Sequence, residues 1–423
     1  MTPDVHTISE ELVEQLQQLR RQLHATPEIG LHLPRTQQSV LDALAGVDAE
    51  ISCGEELSSV TVVIRGAHPQ KRQQAVLLRG DMDALPVVED TGFVFASDNG
   101  AMHACGHDVH TAGLVGAVRL LCARRAELAG DVICMFQPGE EGFGGAGLMV
   151  SEGVLEAAGV PVIAAYGVHV SADRQLGHIW SKPGSYMAAF SHMDITVRGV
   201  GGHGSRPHTA YDPIQVATML PGQLQEYISR RFDVFSPVVL TVGSIHGGQA
   251  ANIIPETCSL SVGIRTFSEE VTARCAEELP HLVRSVVRAH GLEVDVNYKS
   301  RIPATVNAAA EAEFYMDTAR KLFGDDAVHL AEAPLTASED FSEILVRVPG
   351  AYGHFGAMMP DDKHAETNHS PKARHSDAGL GDHARFLATL ALWRLRDESQ
   401  HGSDGRHEHE EQHGCDGQRK GNS

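Results

Sequence analysis

No apolar stretch in this chain approaches the roughly 20 residues a helix needs to cross a bilayer, so no membrane-spanning segment is expected. Basic residues are scarce: 34 Lys and Arg stand against 55 Asp and Glu, a formal net charge of −21. With no long basic run, such a chain repels phosphate, and neither nucleic acid nor an anionic membrane is an expected partner. Cysteine is sparse and odd in number, 7 in 423 residues without a tight repeat. That argues against a disulfide framework and fits a reducing compartment. Residues 1–24 show neither a basic start before an apolar block nor a small-residue cleavage site. We therefore read no secretory signal and expect a cytoplasmic protein. The 42% hydrophobic and 21% charged content is that of a globular protein, which excludes collagen-like, coiled-coil and wholly disordered classes. What the chain has in excess is histidine, 25 in all.

Hydrophobic spacing organises the rest. Ile8, Leu12, Leu16, Leu19 and Leu23 recur at helical intervals. Short apolar runs at Val60–Ile64, Ala75–Leu78, Val132–Phe136 and Val162–Val168 predict buried strands, with a helix over Val109–Arg125 that Asp108 can cap. Buried strands alternating with helices indicate an α/β domain with a parallel or mixed sheet. After Gly184 the order changes to strand (Phe190–Val197), helix (Asp212–Arg231), two strands (Pro237–Ile245, Thr257–Thr266), helix (Glu269–Ala289) and strand (Leu292–Tyr298). That β-α-β-β-α-β series is a ferredoxin-like unit inserted into the first domain. A helix at Ala309–Phe323, a strand at Ala351–Phe355 and a helix near Gly381–Asp397 return to it. The expected boundaries are 1–186 and 303–398 for the α/β domain and 187–302 for the insert. Residues 399–423, rich in Gly, His, Glu and Asp, are expected to form a disordered tail.

Four polar clusters follow these elements. His103, Cys105, His107 and His110 fall within eight residues just before a helix, and imidazole and thiolate suit borderline-soft divalent metals. Not all four can converge on one small site. Glu140 and Glu141 directly follow a buried strand, where one carboxylate can hold a metal and the other accept a proton. His169 and the pair Asp81 and Asp83 also follow apolar runs. Three strand ends delivering metal-type ligands match the place where open α/β sheets bind ligands. The Gly-rich run after Glu141 lacks Gly-Lys-Ser/Thr and is no P-loop. His369 lies in a polar loop ahead of the last helix.

Taken together, the motifs RRQLHATPEIG, RGDMDALPV, MHACGHDVH, FQPGEEG, GVHV, GVGGHGSRPH, ANIIPE and SEDFS, in that order, resemble the M20 metallopeptidase family. The similarity runs from about Gln22 to Arg394, and the nearest branch is the amidohydrolases of N-acyl amino acids, hippurate and auxin conjugates. The resemblance implies a zinc-peptidase-like catalytic domain with a lid and dimerisation insert. It implies two divalent metals per subunit (Zn, Mn, Co or Ni) on Cys105, His107, Glu141, His169 and His369. Glu140 would be the general base and Asp83 an orienting group. His203 would stabilise the oxyanion, often across a homodimer, and Asn252 and Arg265 would hold substrate. The implied reaction is hydrolysis of an N-acyl amino acid to a carboxylic acid and a free amino acid, with a dipeptidase or aminopeptidase as the alternative. The chain departs from the family in Lys372-Ala373-Arg374 after His369-Ser370-Pro371, where relatives commonly carry an aromatic, and in Gly204 after His203.

Overall fold

The computed structural model describes residues 7–360, 362 and 364–396, so the tail read above lies outside the described residues. The chain opens with helices α1 (Glu10–Ala25) and α2 (Pro34–Ala43) and strands β1 (Glu50–Cys53), β2 (Val60–Ile64) and β3 (Ala75–Asp81). Then come α3 (His107–Ala123), β4 (Asp131–Gln137), α4 (Gly145–Ser151), β5 (Val162–Ser171), β6 (Ile179–Ser181) and β7 (Gly184–Met187). The middle holds β8 (Ala189–Arg198), β9 (Gly202–His203), α5 (Pro213–Arg231), β10 (Val239–Gly247), β11 (Ile253–Ile254), β12 (Thr257–Thr266), α6 (Glu269–Ala289) and β13 (Glu293–Ile302). The last part is β14 (Thr305–Asn307), α7 (Ala309–Phe323), β15 (Val328–Leu330), α8 (Ser342–Leu345), β16 (Gly350–Gly356) and α9 (Leu380–Arg396).

Eight strands form one mixed sheet in the order β1-β2-β4-β3-β5-β16-β6-β15. Its centre, β4-β3-β5-β16, is parallel. Both faces are covered, which is why these strands read as unbroken apolar runs. Side chains alternate between the two faces. Val76, Leu78, Val132 and Cys134 pack with α1, α3, α7 and α9. Leu77, Ile133 and Met135 pack on the other side with Met149, Phe341 and Ile344. A second sheet, β10-β12-β8-β13, has its own core against α5 and α6, including Met193, Leu220, Leu260 and Val283. Strands β7 and β14, where the chain leaves and re-enters the larger unit, pair antiparallel. The fold is therefore α/β, with an eight-stranded mixed sheet and a separate small antiparallel one. No described helix is long and apolar enough to cross a membrane.

The sequence expectation for Asp108 is corrected. Helix α3 starts at His107, and its N-cap is Gly106, in the left-handed region at φ 83°. A Cβ there would come within 2.4 Å of Val170, so only glycine fits between Cys105 and His107. Asp108 instead turns inward in the first helical turn and meets Arg20 Nε and His24 Nδ1, each at 2.8 Å. The pull of a buried cation outweighed the capping role.

The α7–α9 packing rests on another buried pair. Arg394 Nη2 lies 2.9 Å from Glu311 Oε1 with both side chains almost fully buried, and the Tyr166 hydroxyl also donates to Glu311. Glu311→Ala removes this buried carboxylate from beside the guanidinium. The expected loss of stability, read from urea unfolding, is about 3–5 kcal/mol.

Candidate active site

The carboxyl ends of β3, β4, β5 and β16, with the loops after them, surround a cavity of about 400 Å³. Cys105, Glu140, Glu141, His169 and His369 line it. The Cys105 Sγ stands 3.3 Å from His169 Nε2 and 3.2 Å from His369 Nε2. His369 Nε2 is 3.3 Å from Glu141 Oε1, and His107 Nε2 is 4.0 Å from the same oxygen. Two compact triads of ligand atoms share the thiol, Cys105/His107/His169 and Cys105/Glu141/His369, and a third group, Asp81/His107/His110, lies beside them. All five residues proposed from the sequence as metal ligands meet here.

Local structure aims each of them. His107 Nδ1 donates to the Asp83 carbonyl at 2.8 Å, and His169 Nδ1 donates to the Val170 carbonyl at 2.7 Å. Both rings therefore present Nε2 to the cluster, the orientation a metal-binding imidazole needs. His369 is brought in by its loop: its N–H bonds the Ala104 carbonyl at 2.9 Å, and Asn368 Nδ2 bonds the Val170 carbonyl at 2.9 Å. Among the described residues His369 is the only non-glycine with positive φ, 72°, a strained backbone that its surroundings hold in place. Asp83 is buried, and its two oxygens accept the Glu140 and Glu141 N–H groups, each at 3.0 Å.

A cation fits this donor set. His107 Nε2 and Glu141 Oε1 are buried 4.0 Å apart and both face the cluster, where Glu141 Oε1 also meets His369 Nε2 at 3.3 Å. Burial opposes charge on His107, but Asp81 outweighs it and raises the pKa well above the usual value. The negative potential from Asp81 that favours a second proton on Nε2 also favours a cation there. Burial likewise pushes the Cys105 thiol up, yet the charge of His169 and hydrogen bonds from His107, His169 and His369 bring it down to about 5. The thiolate is the ligating form.

The adjacent carboxylates are driven apart. Burial raises Glu140 well above the ordinary range, and Glu339, Glu141 and Asp340 add to it. For Glu141 burial is outweighed by the hydrogen bond from His369 and the charges of His107, His369 and His169, which hold it low. One of the pair is thus suited to carrying a proton and its neighbour to staying ionised.

The other histidines of the cluster stand outside the two triads that share the thiol. His110 uses both nitrogens, Nδ1 on Asp81 Oδ1 at 2.5 Å and Nε2 accepting the Val170 N–H at 2.8 Å. His103 is buried and belongs to neither triad. His203 and Asn252 lie exposed on the small domain, where β9 pairs with β11, and neither lines the cavity. Arg265 does not line it either; its Nη1 donates to the Thr336 carbonyl at 2.8 Å and to Ser338 Oγ at 2.9 Å, and Ser338 is part of the wall. Sequence reasoning left Arg79, Glu339 and Asp340 without a role. Arg79 is buried and joins Asp81 at 2.7 Å, Glu339 at 2.7 Å and Asp340 at 3.2 Å. The SEDFS motif contained two of these acids, but nothing in its spacing pointed to Arg79.

Residues 77–393 match the model of peptidase family M20/M25/M40. The chain is 33% identical over 367 residues to Thermostable carboxypeptidase 1 of Saccharolobus solfataricus, covering 86% of this chain and 91% of that one. It is also 33% identical over 370 residues to the N-acetyl-L-cysteine deacetylase of Bacillus subtilis, covering 85% and 86%. Its fold superposes on the crystal structure of the Bacillus subtilis YXEP protein, a dinuclear metal-binding peptidase of the M20 family. The TM-score is 0.77 at 27% identity, over 92% of this chain and 99% of that one.

Two outcomes are expected. Asp83→Ala strips acceptors from two backbone N–H groups and frees the Glu140–Glu141 turn; metal affinity, measured by chelator competition, should fall about 10- to 100-fold. In metal-stripped protein, alkylation of Cys105 should rise with pH through about 5. An ordinary thiol would rise near ~8.5.

Proposed function

The chain belongs to peptidase family M20/M25/M40, metal-dependent hydrolases of amide and peptide bonds, and from that premise we propose that it cleaves the amide bond of N-acyl amino acids to a carboxylic acid and a free amino acid. The observation that carries this reading is the adjacent Glu140–Glu141 pair, both lining the cavity beside Cys105, with Glu141 Oε1 3.3 Å from His369 Nε2. The printed substrate of one relative, N-acetyl-L-cysteine, is itself an acyl amino acid. A cavity of about 400 Å³ suits a molecule of that size.

In this reading Cys105, His107, Glu141, His169 and His369 hold two divalent cations, and zinc, manganese, cobalt or nickel all suit a thiolate–imidazole–carboxylate set. Such cations supply a water of lowered pKa and a Lewis acid for the carbonyl oxygen. Glu140 takes the proton from the attacking water and returns it to the leaving amine nitrogen. Asp83 holds the turn on which both glutamates sit. His203 donates to the developing oxyanion, and Asn252 and Arg265 help hold substrate. His203 and Asn252 reach the cavity when the small domain of a second copy closes on it, so a homodimer is part of the proposal, as is a cytoplasmic setting. The domain limits 1–186, 187–302 and 303–398 are proposed with it.

Glu140→Gln should keep its metal and lose roughly 10²- to 10⁴-fold in kcat. The assay is release of free amino acid from acetyl-, benzoyl- and longer-acyl substrates, beside metal content. A near-normal rate removes Glu140 from this role, and a clear preference for dipeptides replaces the substrate class.

A further inference from the structure

Arg174 lies in the turn after β5, and its guanidinium stacks over the Trp180 ring at 4.8 Å. It is the one Lys or Arg among the residues lining the cavity. Among the described residues it makes no ion pair, and its neighbour Asp173 is exposed. Arg79, by contrast, is fully engaged by Asp81, Glu339 and Asp340. Stacking uses the guanidinium face and leaves its N–H edges free to fork onto a carboxylate.

Strand register places the ring on which this cation stacks. His169 on β5 is opposite His354 on β16, and His354 is opposite Trp180 on β6. Opposed residues share a sheet face, and the His169 and His354 rings stack at 5.2 Å. Trp180 is thus two strand spacings, roughly 10 Å, from His169. That separation suits a short aliphatic acid reaching from a carbonyl held at the Cys105 cluster. Between them, His354 has its Nδ1 bonded to the Tyr186 hydroxyl at 2.6 Å and lines the cavity. The lining sets Arg174, Asp173 and His354 beside Met187, Ile302 and Leu335, so an acid group and an aliphatic stem both find partners.

Resting on the acyl-amino-acid reading above, we propose that Arg174 is a specificity residue that receives a second carboxylate of the substrate. The preferred substrates then carry an acid group beyond the α-carboxylate, on the amino-acid side chain or at the far end of a dicarboxylic acyl chain.

The test compares matched substrates on the metal-loaded full chain: N-acetyl-glutamate against N-acetyl-glutamine, and N-succinyl-alanine against N-butyryl-alanine. In at least one pair the acid should exceed its neutral partner in kcat/KM by roughly 10- to 100-fold. The pair that shows the ratio identifies which end carries the acid. Arg174→Met should erase the ratio and Arg174→Lys restore part of it. An equal ratio in the wild type and Arg174→Met, no acid preference in either pair, or a uniform fall on all four substrates overturns the proposal and leaves acyl-amino-acid hydrolysis standing. If no acyl amino acid is turned over, that broader reading fails. Calorimetry with glutarate and glutaramate then decides on Arg174: glutarate-selective binding lost in Arg174→Met supports the carboxylate site, and equal binding overturns it.

Discussion

An ionised side chain leaves water only where an opposite charge or a set of hydrogen bonds meets it. The pocket around Cys105 is built on that constraint. The thiol is buried among His107, His169 and His369 and is driven toward thiolate by them. Asp81 meets His110 through Oδ1, and Arg79 and His107 through Oδ2. Arg79 in turn holds Glu339 and Asp340. The chain of compensation therefore runs from the thiol to acids more than 200 residues away in sequence, and removing one member leaves another unmatched.

The same constraint separates two chemically identical neighbours. Asp83 fixes the backbone of Glu140 and Glu141 with one oxygen each, so their side chains cannot exchange places. Glu141 faces imidazoles and stays charged, whereas Glu140 faces other acids and resists ionisation. Dications bound to the cluster would relieve the repulsion on Glu140 and bring it nearer to the range where a base works at neutral pH. Two backbone features keep the geometry: Gly106, where no side chain fits, and His369, held at positive φ by Asn368 and Ala104.

Much of this was legible in the residues. The apolar runs predicted β2 to β5, because strands buried on both faces leave no polar alternation to misread. Ligand-type side chains after those runs marked the sheet's carboxyl edge as the site. Where prediction failed, a partner distant in sequence had decided. Asp108 stands where a capping residue would, but Arg20 and His24 claim it. His110 was left outside the expected ligand set, and Asp81 and the Val170 N–H hold its two nitrogens.

The sequence alone determined the layered α/β class, the β-α-β-β-α-β insertion and the set of side chains able to bind metal. It did so because hydrophobic period and ligand chemistry are local properties. Tertiary structure alone decided which nitrogens face Cys105, how the surroundings of Glu140 and Glu141 differ, and that Arg174 reaches the cavity while His203 does not. Those outcomes depend on strand register and on charges brought together from distant segments, which no local pattern encodes.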